Sequence, residues 1–316
     1  MALPLGLAER GKYAPLNADS VTNPERLLAI RGIKGRVWFG DSTAAAGGNG
    51  ASGAGAYTTI EAAVNAAAAD DTILVAPLHV ETVIAAAGLT FDKAGLTVVG
   101  FGNGNRRPQI NFTTVVGASA RWTSAGCTLV NFRFTGGIDA LTSPLDIQAA
   151  DTSLYDIVTE DVTGQATDFI VTTDAADRLV ISGWQHRGAA AAGADTAISV
   201  VGGDDWIIED FEIYGNFAVA AIENVTTASN RARVGGGPRT CYIWTENAAD
   251  IAITMVSTST GYIAGPMDIM LQDNAANVTE AVAGAAMQFM QPIRIVNLAG
   301  ESSMESNITA TTDAIV

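Results

Sequence analysis

The densest group of carboxylates in the sequence spans residues 204–212. It consists of Asp204, Asp205, Glu209, Asp210 and Glu212. Carboxylates on one face of a strand can bind calcium or act as general acid and base. The residues between them are apolar: Trp206, Ile207, Ile208 and Phe211. This pattern predicts a buried strand whose acids form a solvated outer rim. Asp204, Asp205, Glu209 and Asp210 are therefore weak candidates for a metal site, and no catalytic residue is predicted.

Two other groups that could do chemistry fit a structural role better. The only histidines, His79 and His186, are too far apart in the chain to share a metal ion or a catalytic site. The glycine-rich run 100–106 has Asn105 where a phosphate-binding loop needs its third glycine, and no helical pattern follows it. We expect the histidines to be structural and the run to form a turn.

Three tryptophans and two cysteines leave more than one interpretation open. Trp184, Trp206 and Trp244 could line a sugar-binding groove, or they could fill corners of the fold or an interface between protomers. Cys127 and Cys241 each lie in an apolar β pattern, which favours small buried side chains over a disulfide or a metal site.

The charge of the chain excludes two classes of partner. The 316 residues include 33 acids and 17 lysines and arginines, a formal net charge of −16. Such a surface repels phosphate backbones and anionic lipid, so we expect no nucleic-acid partner and no membrane partner. No segment approaches the roughly 18 apolar residues of a membrane span, and residues 1–7 lack the features of a signal peptide.

A repeat with a period near 26 residues predicts the fold. A turn-forming residue precedes a short apolar run at Asp71, Gly95, Gly126, Asp151, Asp177, Asp204, Asn230, Asp250 and Asn277. A coil of this length holds three short strands, and each coil buries its apolar face only against its neighbours. We predict an all-β fold, a right-handed single-stranded parallel β-helix of about eight or nine coils, with a rise of about 4.8 Å per coil and a length near 40 Å.

Three segments adjoin this pattern. Residues 1–36 are basic and interrupted by proline, which predicts an extended N-terminal arm, and residues 298–316 form a polar C-terminal tail. Thr58 and Glu61 form a capping-box pattern, which predicts a short capping helix near 58–70 at the mouth of the β-helix, 37–297. The candidate partner-binding residues of the arm are Arg10, Lys12, Arg26, Arg31 and Lys34.

Several stretches resemble known β-helix proteins. Residues 57–77, YTTIEAAVNAAAADDTILVAP, resemble the entry of right-handed β-helices of the pectate-lyase-like superfamily, where a capping helix leads into the first rung. The run APLHVETVIAAAGLTFDKAGLTVVGFGNGNRRPQI and the pieces IENVTTASNR and NLAGESS look like β-helix virion structural proteins of tailed bacteriophages and prophages. This resemblance covers roughly residues 37–303 and implies neither a catalytic motif nor a cofactor.

The resemblance implies a non-enzymatic virion protein made in the host bacterial cytoplasm. We expect a decoration protein (a cement or turret protein) on the capsid exterior, which forms a homo-oligomer, first of all a trimer, and binds the major capsid protein through its arm. The alternative is a tail-associated spike that binds or depolymerises host surface polysaccharide. The fold does not decide between them. They differ in whether one outer face gathers carboxylates, a basic residue and a groove.

Overall fold

The chain folds as a parallel β-helix, as predicted. The computed structural model describes residues 35–161, 166–188, 194–245, 251–271, 281–284, 286–290, 292–297 and 308–309. The strands form three parallel sheets, here called A, B and C, of ten, nine and nine strands. The chain visits A, B and C in turn, so each strand pairs with the equivalent strands one coil before and one coil after.

The strands are short in all three sheets. Sheet A contains β1 (Val37–Gly40), β2 (Thr72–Val75), β5 (Thr97–Gly100), β8 (Thr128–Val130), β11 (Ser153–Tyr155), β14 (Val180–Ser182), β17 (Ile207–Glu209), β20 (Ala232–Gly235), β23 (Gly261–Ala264) and β26 (Met287–Met290). Sheet B contains β3 (Val80–Thr82), β6 (Gln109–Phe112), β9 (Arg133–Gly136), β12 (Val158–Asp161), β15 (Gln185–Arg187), β18 (Glu212–Gly215), β21 (Cys241–Thr245), β24 (Met267–Leu271) and β27 (Ile293–Asn297). Sheet C contains β4 (Leu89–Phe91), β7 (Ala120–Trp122), β10 (Leu145–Ile147), β13 (Asp168–Thr172), β16 (Thr196–Val200), β19 (Ala220–Asn224), β22 (Ile251–Thr254), β25 (Val282–Ala283) and β28 (Ile308–Thr309).

The core consists of columns of inward-facing side chains, in which equivalent residues of successive coils lie one above the other. In sheet A the register places one buried aliphatic side chain above another through eight coils: Ile73, Val98, Leu129, Leu154, Ile181, Ile208, Val234 and Ile263. Branched aliphatic side chains suit this position because they pack closely on a pleated surface and lose little rotamer freedom there. This column explains why apolar residues recur in the sequence once per coil.

A left-handed residue recurs where sheet C leads back to sheet A, the C–A corner. The residues are Asp70, Gly95, Gly126, Asp151, Arg178, Asp205 and Arg231, with φ between 56° and 77°. The first six donate their N–H groups to carbonyls of the next coil, as Gly126 N does to Ala150 O at 3.1 Å, and Arg231 N donates instead to Thr260 Oγ1 at 3.3 Å. At Gly95, Gly126 and Asp151 the turn residue of the sequence pattern is itself the left-handed residue. For four others, Asp71, Asp177, Asp204 and Asn230, the left-handed residue is the adjacent one.

The arginines in the left-handed position have a physical explanation. Two polar residues occupy the corner in these coils, and arginine takes the left-handed position where its guanidinium pairs with a carboxylate one coil away, as Arg178 does with Asp151. Glycine, asparagine and aspartate are the usual left-handed residues, so the sequence pattern located the turn but did not indicate an arginine in the left-handed position. Two further predicted turn residues, Asp250 and Asn277, lie outside the described residues.

A helix and one carboxylate close the first coil. Helix α1 (Ile60–Ala66) buries Ile60, Ala63 and Val64 against β1, β2 and β4. It is shorter than the predicted 58–70, and its N-cap is Thr59 rather than Thr58: Thr59 Oγ1 accepts a hydrogen bond from Ala62 N at 3.1 Å. Within the described residues no helix is long and apolar enough to cross a membrane.

Asp71 joins the first strand to this helix. Its carboxylate accepts hydrogen bonds from Arg36 N at 2.6 Å, from Trp38 Nε1 at 2.8 Å and from Ala68 N at 2.8 Å. Burial opposes ionisation of this carboxyl, but the three hydrogen bonds outweigh it and hold the pKa of Asp71 below its ordinary value.

The two predicted terminal segments lie mostly outside the described residues. Of the arm, 1–36, only Gly35 and Arg36 are described, and of the tail, 298–316, only Ile308 and Thr309. These last two residues pair in parallel with Val282 and Ala283, so they add a strand to sheet C.

The register makes Cys127 an inward residue. Thr97 pairs with Thr128, so Cys127 follows Leu96 in the same buried column, as predicted, and burial raises the pKa of its thiol to about 11. We expect Cys127→Asp to lower the free energy of unfolding by about 3 kcal/mol or more, because it buries an unpaired charge. Urea denaturation measures the loss. The adjacent outward change Thr128→Asp is the control and should cost far less. Rapid reaction of Cys127 with a thiol reagent in the folded protein would contradict the inward orientation.

Candidate functional site

The five acids of residues 204–212 do not converge on one site. Asp204 and Asp205 lie at the C–A corner before β17, Glu209 ends β17 on sheet A, Asp210 lies in the following turn, and Glu212 begins β18 on sheet B. Among the described residues no group of three or more His, Cys, Asp or Glu side chains is arranged to hold a metal ion. The structure therefore divides the predicted cluster among a corner, a turn and two sheets.

Each of these acids instead bonds to a residue one coil away. Asp205 binds the guanidinium of Arg231 through both oxygens, at 2.5 and 2.6 Å. The other four contacts are Asn230 N to Asp204 at 2.8 Å, Arg233 to Glu209 at 3.4 Å, Arg239 N to Asp210 at 2.9 Å and Gln185 Nε2 to Glu212 at 3.2 Å. The acids face outward, as predicted, and in addition they connect neighbouring coils.

Charges alternate in sign along the C–A corner. Asp151, Arg178, Asp205 and Arg231 occupy the left-handed position in four consecutive coils. Asp151 and Arg178 form a bidentate pair at 2.6 and 2.8 Å, which lowers the pKa of the carboxyl and raises that of the guanidinium. Stacked coils bring equivalent side chains close together, so alternation replaces repulsion by attraction. This column stabilises the stack, and its carboxylates are paired with arginines.

A second group of acids, which the sequence analysis missed, consists of Asp168 and Glu223 on sheet C and Asp195 directly before β16. Burial raises the pKa of Asp168 above its ordinary value, although Thr196 Oγ1 donates to Asp168 at 2.7 Å. Burial also raises the pKa of Glu223, and the charges of Asp168 and Asp195 raise it further. In the described structure none of the three forms a salt bridge. Asp195 directly precedes β16, and the register aligns Asp168 with Thr196 and Glu223 with Ser199, so the three acids are neighbours that do not form one column. No periodic spacing in the sequence marked them.

Both histidines lie in the interior. His186 is buried, its Nδ1 lies 2.8 Å from Thr159 Oγ1, and burial lowers the pKa of its ring to about 3, so it stays neutral. His79 is also buried and lies 3.3 Å from Glu81 Oε2, an oxygen that also accepts the Ile60 N–H at the start of α1. These contacts fit the structural role expected for both residues.

The remaining motifs also take structural positions. Trp184 and Trp206 are fully buried, so they fill corners of the core and cannot line a sugar-binding groove. Trp244 is half-buried on β21 and lies edge-on to Tyr214, with ring centroids 5.7 Å apart. The glycine-rich run 100–106 connects β5 to β6 and ends in a 3₁₀ turn, Gly104–Arg106, as the prediction of a turn requires.

The arm residues cannot be placed beside these groups. Arg10, Lys12, Arg26, Arg31 and Lys34 all lie outside the described residues, so the arm stays a prediction.

No protein-family model matches the sequence, and neither curated proteins nor solved structures give a match.

One buried acid has a strongly raised pKa. Asp161 points inward at the end of β12, against Gly136 of the previous coil, where a Cβ atom would lie 2.6 Å from Asp161 Oδ1. Phe169 and Leu141 lie beside the same position. Burial raises the pKa of Asp161 from 3.8 to about 7.

The raised pKa of Asp161 predicts a pH-dependent stability. The folded state holds the proton more tightly than the unfolded state, so the contribution of Asp161 is complete below pH 3.8 and is lost as pH rises to about 7. Asp161→Asn, which cannot ionise, should therefore raise the free energy of unfolding at pH 8, by at most about 4 kcal/mol, because each tenfold change in proton affinity corresponds to about 1.4 kcal/mol. At pH 4 it should change the free energy little. Urea denaturation at both pH values measures this difference.

The neighbouring Glu160→Gln is the control. Glu160 faces outward and forms ion pairs with Arg133 and Arg187, so its replacement should not stabilise the protein at either pH. An Asp161→Asn variant no more stable than the wild type at pH 8 would show that the Asp161 carboxylate is solvated.

Proposed function

We propose that the chain is a non-enzymatic structural protein of a bacteriophage virion, in the first place a capsid-surface decoration protein. One observation carries the proposal: the acids of residues 204–212 form bonds between coils, so the polar outer surface holds a rigid stack together. Such a rod is suited to projecting from a surface. The sequence resemblance to β-helix virion proteins supplies the phage setting.

Attachment is assigned to the N-terminal arm. Within residues 1–34 the bases Arg10, Lys12, Arg26, Arg31 and Lys34 outnumber the acids Glu9, Asp19 and Glu25, whereas the whole chain carries −16. The proposed partner is the major capsid protein, on whose surface an extended arm can cover much area by folding as it binds. The proposed assembly is a homo-oligomer, first of all a trimer, on the capsid exterior.

The rival function is a tail-associated spike that binds or depolymerises polysaccharide. The observation in its favour is the group Asp168, Asp195 and Glu223, in which the pKa values of Asp168 and Glu223 are raised, because neighbouring carboxyl groups of this kind carry out acid–base glycoside cleavage. The proposal of a structural protein is preferred because the described part of the chain brings no arginine or lysine into an ion pair with this group, and cleavage chemistry needs such a charge to stabilise its transition state.

Removal of the arm tests attachment. Deleting residues 1–34 should abolish binding to capsid particles while leaving the circular dichroism and melting temperature nearly unchanged. Arg36 is retained because its N–H bonds to Asp71. A full-length variant with the five arm bases replaced by alanine separates charge from length and should bind more weakly than the wild type. Normal occupancy of particles by the truncated chain would refute the assignment.

Replacement of the acids tests the rival. We expect the wild type to release no oligosaccharide from host capsule or lipopolysaccharide, and calcium to leave its melting temperature unchanged. A ligand at a hundredfold excess over its Kd would add about 2.7 kcal/mol of stability. Two variants are compared: one replaces all five acids of residues 204–212 by amides, and the other carries Asp168→Asn, Asp195→Asn and Glu223→Gln. Release by the wild type that only the second variant loses would establish the spike function.

A further inference from the structure

The outer face of sheet A carries a second apolar cluster beside the first coils. Along each strand its members alternate with the inward column that runs from Ile73 to Ile263, so they point to the opposite side of the sheet. The register places them one above another in successive coils, and they are separate from the core. We call them the outer cluster, which consists of the buried residues Leu74, Val99, Phe101 and Val130 and the partly buried residues Val37, Phe39 and Tyr155.

The four buried residues of the outer cluster are almost completely shielded from solvent. Leu74 is 5% exposed, Val99 2%, Phe101 2% and Val130 3%. Val180, which lies on the same face two coils beyond Val130, is only half-buried. None of the described helices or strands makes an extended contact with the outside of β5 or β8. An outward position in a sheet does not by itself produce this degree of burial, so the outer cluster requires a cover.

The N-terminal segment enters the solenoid beside the outer cluster. Val37 pairs with Thr72, so Gly35 lies at the position that Asp70 occupies one coil later, and Gly35 has the same left-handed conformation, with φ of 72°. The chain therefore arrives at the C–A corner, along one margin of sheet A. Residues 1–34 precede this point. A segment tethered there meets the outer cluster at a high effective concentration, which a separate partner does not have.

The last residues of this segment have the composition and length that the cover needs. Residues 27–33, LLAIRGI, contain four large apolar side chains, and the bases Arg26, Arg31 and Lys34 lie within or beside them. Seven extended residues span about 23 Å at roughly 3.3 Å each. The outer cluster extends over four coil steps, from β1 to β11, which is about 19 Å at about 4.8 Å per step.

We infer that residues 27–33 pack over the outer cluster and cover the first coils of sheet A. Their apolar side chains contact the sheet, and the three bases face solvent, where a partner of the arm can reach them. The conformational entropy lost when the segment is ordered offsets much of the gain from apolar burial, so its removal changes the melting temperature little. The docking does not depend on the proposed capsid attachment.

The first test measures the accessibility of a thiol placed in the outer cluster. Cys127 and Cys241 are the only cysteines and both are buried, so Val99→Cys adds a single reporter. A thiol reagent should modify it slowly in the full-length chain and about tenfold faster or more after deletion of residues 1–34, because the cover no longer limits access. Val180→Cys is the matched control and should react at the same rate in both chains. Equal rates at Val99→Cys in the two chains would overturn the inference.

A second test identifies the covering residues and the copy that supplies them. In the Val99→Cys background, deletion of residues 1–20 should keep the protection, and the full-length variant Leu27→Ser, Leu28→Ser, Ile30→Ser, Ile33→Ser should lose it. Circular dichroism confirms folding of each variant. Protection that survives the four serine substitutions would contradict the inference. Protection that is lost on dilution, together with dissociation in sedimentation velocity, would also overturn it by assigning the cover to a second copy. Particle binding is measured separately, so failure of the capsid proposal is distinguishable from failure of the docking.

Discussion

Parallel pairing of each strand with its equivalent one coil later is the constraint on which the structure depends. Because the backbone of one coil is satisfied by the next, every position of a coil recurs at nearly the same place in the neighbouring coil. Side chains are thereby sorted into columns. The column from Ile73 to Ile263 holds the core, and the left-handed column from Asp70 to Arg231 turns the chain.

The same constraint makes the first coil special, since its strands have no earlier coil to pair with. Asp71 ties β1 to the residues after α1, and Glu61 of the helix accepts the N–H of Thr90, on the otherwise open edge of β4. Unpaired strand edges invite association with other chains. At this end of the solenoid, side-chain carboxylates replace the carbonyl groups that a preceding coil would supply.

The sequence predicted the features that recur once per coil. It did not predict the features that depend on which side chains are neighbours across coils. The repeat, the three strands per coil and the inward Cys127 followed from spacing alone. At Arg178 and Arg231 the sequence pattern located the corner but did not indicate the left-handed residue, because an arginine there is favoured only by a carboxylate one coil away. The acids of 204–212 looked like a cluster because they are close in sequence, and the turn at Asp210 separates them in space.

Two groups of charged residues on the outer surface differ in what they do for the fold. Asp151, Arg178, Asp205 and Arg231 alternate in sign, so stacking them lowers the energy of the folded state. Asp168, Asp195 and Glu223 carry the same sign without sharing one column, because the register aligns Asp168 with Thr196 and Glu223 with Ser199. Burial and the neighbouring acids raise the pKa values of Asp168 and Glu223, so their ionised forms oppose folding near neutral pH. The contribution of the first group to stability explains its presence. Stability does not explain the second group, so any chemistry on the outer surface of this protein would be found there first.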